Sequence, residues 1–206
     1  ENGTEVSISE TDTEIIYESG HTRAIVDKRP GSWGIRFFDG QRLLTDTGFR
    51  NMARMKNNET GKSYMVEQLS LDIDEYVYGL GERFTPFVKN GQIVDMWNED
   101  GGTASEISYK NIPFYITNKG YGVLVDSAGD VSYEIASEKV ERVQFSVEGE
   151  RMDYYFINGS TPKGTIAKYA QLTGKPALPP AWSFGLWLTT SFTTDNDEET
   201  TSGVID

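Results

Sequence analysis

Trp182-Ser-Phe-Gly-Leu-Trp-Leu-Thr-Thr-Ser-Phe192 decides how this chain divides. The stretch is apolar at nearly every position through Leu188, rather than at alternate ones. That is the pattern of a strand buried on both faces, as in the parallel sheets of α/β proteins. Pro179 and Pro180 stand just before it. Thr193-Thr-Asp-Asn-Asp-Glu-Glu-Thr200 follows, with the polar, acidic start of a helix. Strand followed directly by helix is a βα unit. An all-β domain is therefore expected to end here and an α/β domain to begin, with the sequence stopping at Asp206 before a second domain is complete.

Working back from that boundary, Lys175–Ala181 reads as a proline-rich linker. One helix precedes it. Ser160 or Thr161 caps it, Pro162 sits in its first turn, Gly174 and Pro176 end it, and Ile166, Tyr169, Ala170 and Leu172 fall near one face. Everything earlier reads as short strands. Phe114–Thr117, Tyr121–Val125, Val131–Ile135, Val140–Val147 and Met152–Ile157 alternate between turns such as Asn118-Lys-Gly120 and Glu148-Gly-Glu150. Closer to the start, His21–Lys28 (Ala24 and Val26 inward), Trp33–Phe38 and Gln41–Thr45 are strands, with a tight turn at Asp39-Gly40 because glycine readily takes positive φ. Residues 3–18 alternate weakly, and 49–62 are a loop or an edge strand. In Tyr76–Phe84, glycines at 79 and 81 between aromatics indicate backbone packed close to a neighbour. The pattern is a mainly β chain of sandwich or barrel type.

Net charge is −13, which excludes the clustered Lys and Arg of a nucleic-acid surface. There are no cysteines, so disulfides, thiolate catalysis and cysteine zinc sites are excluded. No apolar run of transmembrane length occurs and no signal peptide is visible at Glu1, so a cytoplasmic setting without membrane contact is expected. Asn2, Asn58 and Asn158 open glycosylation triplets of a kind that arises by chance.

Paired carboxylates are the first chemistry to look for in an acidic, aromatic-rich chain. Glu99 and Asp100 follow Trp97 in a loop with Gly101 and Gly102. Two readings stay open. The loop contacts sugar, with the carboxylate accepting hydroxyls and the ring packing on an apolar sugar face, or it is a solvated turn, which spacing alone favours. Asp195, Asp197, Glu198 and Glu199 fit a helix N-terminus. His21, the one histidine, reads as a surface residue of a strand. Phe192 interrupts a Thr-Thr-Ser run at a strand end and either packs or binds.

Taken together, Tyr78-Gly-Leu-Gly-Glu-Arg-Phe84, Trp97-Asn-Glu-Asp-Gly-Gly102, Lys110-Asn-Ile-Pro-Phe-Tyr115, Gly120-Tyr-Gly-Val-Leu124 and Ala177-Leu-Pro-Pro-Ala-Trp182 with the stretch that follows it resemble glycoside hydrolase family 31, most of all its bacterial α-xylosidases. The resemblance implies a galactose-mutarotase-like β-sandwich over 1–159, a helix and linker over 160–181, and the first βα unit of an incomplete (β/α)8 barrel over 182–206. It implies retaining hydrolysis of α-linked xylosides or glucosides by two aspartates on later barrel strands, without metal or organic cofactor. No catalytic residue is therefore expected within this sequence, and the fragment alone is expected to be inactive. Two positions match substrate contacts of the family: Asp100, reaching from the sandwich to the barrel mouth, and Phe192, at the end of the first barrel strand. The competing readings are a carbohydrate-binding module and an assembly domain, and homo-oligomerisation stays open. The lone barrel strand is expected to be poorly ordered, to swap, or to pair with another chain.

Overall fold

The computed structural model describes residues 5–48, 50–96, 98, 108–186 and 202–203. Residues 1–173 form one compact unit and 174–206 a second. In the first unit, β1 (Ser7–Glu10), β2 (Glu14–Ser19), β3 (Thr22–Asp27), β4 (Gly34–Asp39) and β5 (Arg42–Asp46) make an antiparallel meander in sequence order. The tight turn expected at Asp39-Gly40 is present, and another hairpin turns at Gly20-His21. The weakly alternating 3–18 region holds the strands β1 and β2. Its turn is built by a side chain: Thr11 Oγ1 accepts the N–H groups of Thr13 at 3.3 Å and Glu14 at 3.0 Å. In β3, Ala24 packs toward the core as expected, but Ile25 and Asp27 are the buried residues and Val26 is only half-buried.

Two further antiparallel sheets complete the unit. One has the order β6 (Met52–Lys56), β7 (Ser63–Ser70), β13 (Arg142–Glu148), β12 (Val131–Ile135), β9 (Gln92–Met96). The other runs β14 (Tyr154–Asn158), β11 (Tyr121–Val125), β10 (Phe114–Thr117), β8 (Val77–Gly79). The polar 49–62 region resolves into β6, an edge strand whose Arg54, Met55 and Lys56 are exposed, a composition that discourages further strand pairing.

Alternation builds the core. Val131, Tyr133 and Ile135 of β12, Val143, Phe145 and Val147 of β13, and Tyr121, Val123 and Val125 of β11 turn to one face and are buried. Each such side chain contributes roughly 1.5–3 kcal/mol by leaving water. Phe37 and Leu44 of the first sheet join the same cluster, and Phe37 stacks on Phe156 at 4.1 Å between ring centroids. Thr45 Oγ1 donates to Ser70 O at 2.7 Å, fastening β5 to β7. The result is a sandwich-like stack of three sheets around one core.

The helix α1 spans Pro162–Thr173. Thr161 is its N-cap, accepting the Gly164 N–H at 3.1 Å, and Gly174 follows its end at φ 97°. Its packed face agrees with expectation in part: Tyr169 stacks on Phe114 at 4.1 Å and Ala170 is half-buried, but Thr165 is the buried residue and Ile166 and Leu172 are exposed. The reason is close backbone contact: a Cβ on Gly164 would lie 2.2 Å from Gly159 O, so the helix seats on its glycine side. Asn158 is buried with its side chain bonded to Thr22, Asp39 and Ser160, which removes its triplet from glycosylation.

In the second unit, Ala181–Phe184 is a short three-ten helix, not the start of a strand. Pro180 O accepts both the N–H and the hydroxyl of Ser183, at 3.0 and 2.7 Å, and Gly185 N–H closes on Trp182 O at 3.1 Å. A serine bonding back to a carbonyl three residues earlier offers the backbone a local alternative to a sheet. The remainder of the expected strand, 187–192, and the predicted disorder or pairing of that segment lie outside the described residues.

Candidate functional site

β8 ends in a backbone conformation that few sequences tolerate. Gly79, Leu80 and Gly81 have φ of 107°, 68° and 84°. Leu80 is fully buried, its N–H bonded to Phe114 O at 2.9 Å. A branched residue at positive φ costs about 1–3 kcal/mol and persists only where its surroundings enforce it. They do so here by contact. A Cβ at Gly79 would sit 2.7 Å from Phe114 O, and one at Gly81 would sit 2.2 Å from Lys110 O. The two glycines let this turn run directly against residues 110–115, the close approach that their spacing predicts.

The turn delivers Arg83. Its Nε donates to Leu80 O at 3.2 Å, and Nη2 donates to Asn111 Oδ1 and to Asp95 O at 3.4 Å. Asn111 is the hub. Its backbone N–H and its Nδ2 both donate to Asn98 Oδ1, at 3.0 and 2.9 Å, and Nδ2 also donates to Ser108 O at 3.3 Å. Ser108 Oγ donates to Asn111 Oδ1 at 3.4 Å. The Asn111 amide thus uses both donors and both acceptor sites. Asn98 and Ser108 also form an isolated parallel β-bridge. The chain on either side of residues 99–107 is therefore tied together by one polar node.

Around the node lies a cleft of about 200 Å³ lined by Asn98, Asn111, Pro113, Ser127 and Asp130. Phe84 and Phe87, 56% and 79% exposed, stand on the neighbouring loop, and Phe87 leans on Tyr78 at 5.2 Å. Lys89 holds that loop from inside. It is buried, and its Nζ donates to Thr85 Oγ1 at 3.0 Å and Pro86 O at 2.8 Å. Burial, with the Arg83 charge adding to it, pulls the Lys89 pKa below its ordinary value.

Glu67 and Glu75 are buried, and burial raises the pKa of both, Glu67 to about 8. Asp27 is held far below the usual carboxylate range, first by hydrogen bonds from the Arg29 guanidinium and then by the Arg29 N–H and Ser32. His21 is exposed, as expected. Among the described residues no group of three or more His, Asp or Glu could hold a metal ion, and no helix is long and apolar enough to cross a membrane.

Asp100 and Phe192, the two expected substrate contacts, lie outside the described residues, as does Trp97. The structure instead shows Asn98 tied to Ser108 and Asn111. Arg83, Asn98 and Asn111 had no role assigned from sequence, although the Gly79/Gly81 spacing pointed at the contact that brings them together.

The model of the glycosyl hydrolase 31 N-terminal galactose mutarotase-like domain matches residues 1–134. The α-xylosidase XylQ of Lactiplantibacillus pentosus is 52% identical over all of this chain, which covers 28% of that protein. An α-xylosidase of Emericella nidulans is 48% identical over 92% of the chain and 27% of its own length. The chain thus spans about a quarter of the length of these curated relatives. Among solved structures, a family 31 dextranase of Flavobacterium johnsoniae, complexed with isomaltotriose, superimposes with a TM-score of 0.77 at 28% identity, over 87% of this chain and 22% of that one.

Proposed function

The chain belongs to glycoside hydrolase family 31, and from that premise we propose that it is the N-terminal part of a retaining α-glycosidase acting on α-xylosides or α-glucosides. In this reading the sandwich (1–159) supports a (β/α)8 barrel. Residues 160–181 connect the two, and 182–206 open the barrel with its first βα unit. The catalytic nucleophile and acid/base belong to later barrel strands, and no carboxylate of this chain takes either role. Asp100 reaches the substrate from the sandwich, and Phe192 lines the sugar at the barrel mouth. No metal or organic cofactor takes part, and the setting is cytoplasmic. The observation that carries the reading is the 52% identity to an α-xylosidase along the whole chain. The dextranase complexed with isomaltotriose supports a carbohydrate substrate.

An aromatic wall at Phe192 has a physical consequence. It would crowd the hydroxymethyl group that glucose carries and xylose lacks, favouring xylosides. In the longer protein that contains this chain, Phe192→Ala is expected to lower the ratio of kcat/KM for aryl α-xyloside over aryl α-glucoside by about tenfold, the scale on which a pocket discriminates one small group. An unchanged ratio would refute the role of Phe192.

A further inference from the structure

The loop between β8 and β9 uses polar side chains to hold apolar ones out in water. It joins the edge strand of one sheet to the edge strand of another. Lys89 is buried beneath it, and its ammonium donates to Thr85 Oγ1 and Pro86 O. A buried ammonium is costly unless hydrogen-bonded, so these two acceptors are held to it. Gln92 Nε2 adds bonds to Val88 O at 2.7 Å and Pro86 O at 3.2 Å. Asn90 Oδ1 accepts the Val77 N–H at 2.8 Å and its Nδ2 donates to Glu75 O at 3.0 Å, which ties the loop to the strand it leaves. This frame displays Phe84-Thr-Pro-Phe87. Both phenylalanines are exposed, and Phe87 is propped on Tyr78. Rigid display of this kind lowers the ordering cost of binding a partner.

We infer that Phe84 and Phe87, held out by Lys89, are a docking face for the remainder of the longer protein. This rests on the proposed function. Coverage, local chemistry and charge together choose that occupant. The chain covers 28% of XylQ and 27% of the Emericella nidulans α-xylosidase, so most of a protein of this kind lies outside these residues and is at hand to cover the rings. A sugar fits less well, because a sugar site sets polar groups beside its aromatic faces. Here Thr85, the one polar side chain between the two rings, already accepts from Lys89, and Pro86 O is taken by Lys89 and Gln92. A second copy of the chain is opposed by charge, since a net −13 on each repels the other. Aromatic rings with no polar atom of their own belong instead in the apolar core of an interface.

Hydroxyl-radical footprinting read by mass spectrometry tests this without altering the protein. Labelling of Phe84 and Phe87 is compared in the 206-residue chain and in the longer protein, with the fully buried Phe145 as the unreactive reference. Both rings should label readily in the chain alone. In the longer protein, labelling of Phe87, 79% exposed in the chain, should drop about fivefold or more, as for a ring in the core of an interface. The drop should survive dilution and be the same with and without isomaltotriose. Equal labelling in the two proteins would overturn the inference. So would protection that appears only with isomaltotriose, which would make the face a sugar platform, or protection lost on dilution, which would make it a contact between copies. Hydrolysis of 4-nitrophenyl α-xyloside by the same preparation is read separately. An inactive longer protein with both rings covered refutes the proposed function and upholds the docking face.

Discussion

Replacing Glu67 by Gln should make this chain more stable at neutral and alkaline pH while changing little at pH 5. Glu67 lies in the middle of β7, paired with Met52 on one side and Phe145 on the other, and is 2% exposed. Burial is the main cause of its raised pKa. A hydrogen bond from the Gln68 N–H, at 3.0 Å, and the polarity of the nearby Tyr154 hydroxyl pull the other way and do not overcome it. The unfolded chain releases this proton near 4.5, and the folded chain keeps it to about 8. Between those values the folded state binds more protons, so stability falls as pH rises. The stability is fully present below 4.5, declines through the interval, and is flat above about 8. At about 1.4 kcal/mol per pH unit, the loss is on the order of 3 kcal/mol at pH 7 and 5 kcal/mol above pH 8.

Gln has the shape of the neutral acid and does not titrate. Urea unfolding followed by tryptophan fluorescence at pH 5, 6, 7 and 8 is the assay. The parent should weaken steadily over that range. Glu67→Gln should flatten most of the slope and stand several kcal/mol above the parent at pH 8, on the same reckoning. A residual slope is expected from Glu75, whose pKa burial also raises while the Asp72 N–H and the Tyr121 and Thr117 hydroxyls lower it. Asp27 and Asp72 have depressed values, so their contribution is lost only as pH falls below the ordinary carboxylate range. If parent and variant run parallel from pH 5 to 8, Glu67 does not enter the folded state as a neutral acid and the reasoning fails.

Gly81→Ala should destabilise the chain by about 2 kcal/mol or more, combining strained φ with a collision, because the added Cβ would lie 2.2 Å from Lys110 O. An unfolding midpoint equal to that of the parent would show that the turn does not press against residues 110–112. Thr161→Ala removes the acceptor for the Gly164 N–H and should cost about 1 kcal/mol, read from the urea midpoint, while Thr161→Ser should cost little; equal losses in both would deny the cap.

Much of the fold was legible because short strands carry a strong period. Phe114–Thr117, Tyr121–Val125 and Val131–Ile135 coincide with β10, β11 and β12 residue for residue. The helix was bounded by Pro162 and Gly174, residues with fixed backbone meaning. What escaped was set by side chains rather than by period. The turn at 11–13 uses the Thr11 hydroxyl in place of a glycine or proline. Trp182-Ser-Phe184 read as strand because continuous apolarity has no period, and the Ser183 hydroxyl tipped it into a tight turn. The apolar stripe of α1 pointed to Ile166 and Leu172, but a glycine-lined approach seated Thr165 instead. Around the site, Gly79 and Gly81 announced a close contact without naming its partner. The bond from Asn111 to Asn98 spans thirteen positions between two loops, and no local pattern encodes it.

In the proposed function these residues form the supporting sandwich of an α-glycosidase whose catalytic carboxylates lie elsewhere. The decisive measurement is hydrolysis of 4-nitrophenyl α-xyloside, side by side for the 206-residue chain and for the longer protein containing it. The longer protein is expected to turn the substrate over and the chain alone to leave it intact. Turnover by the isolated chain, or an inactive longer protein on both α-xyloside and α-glucoside, would contradict it.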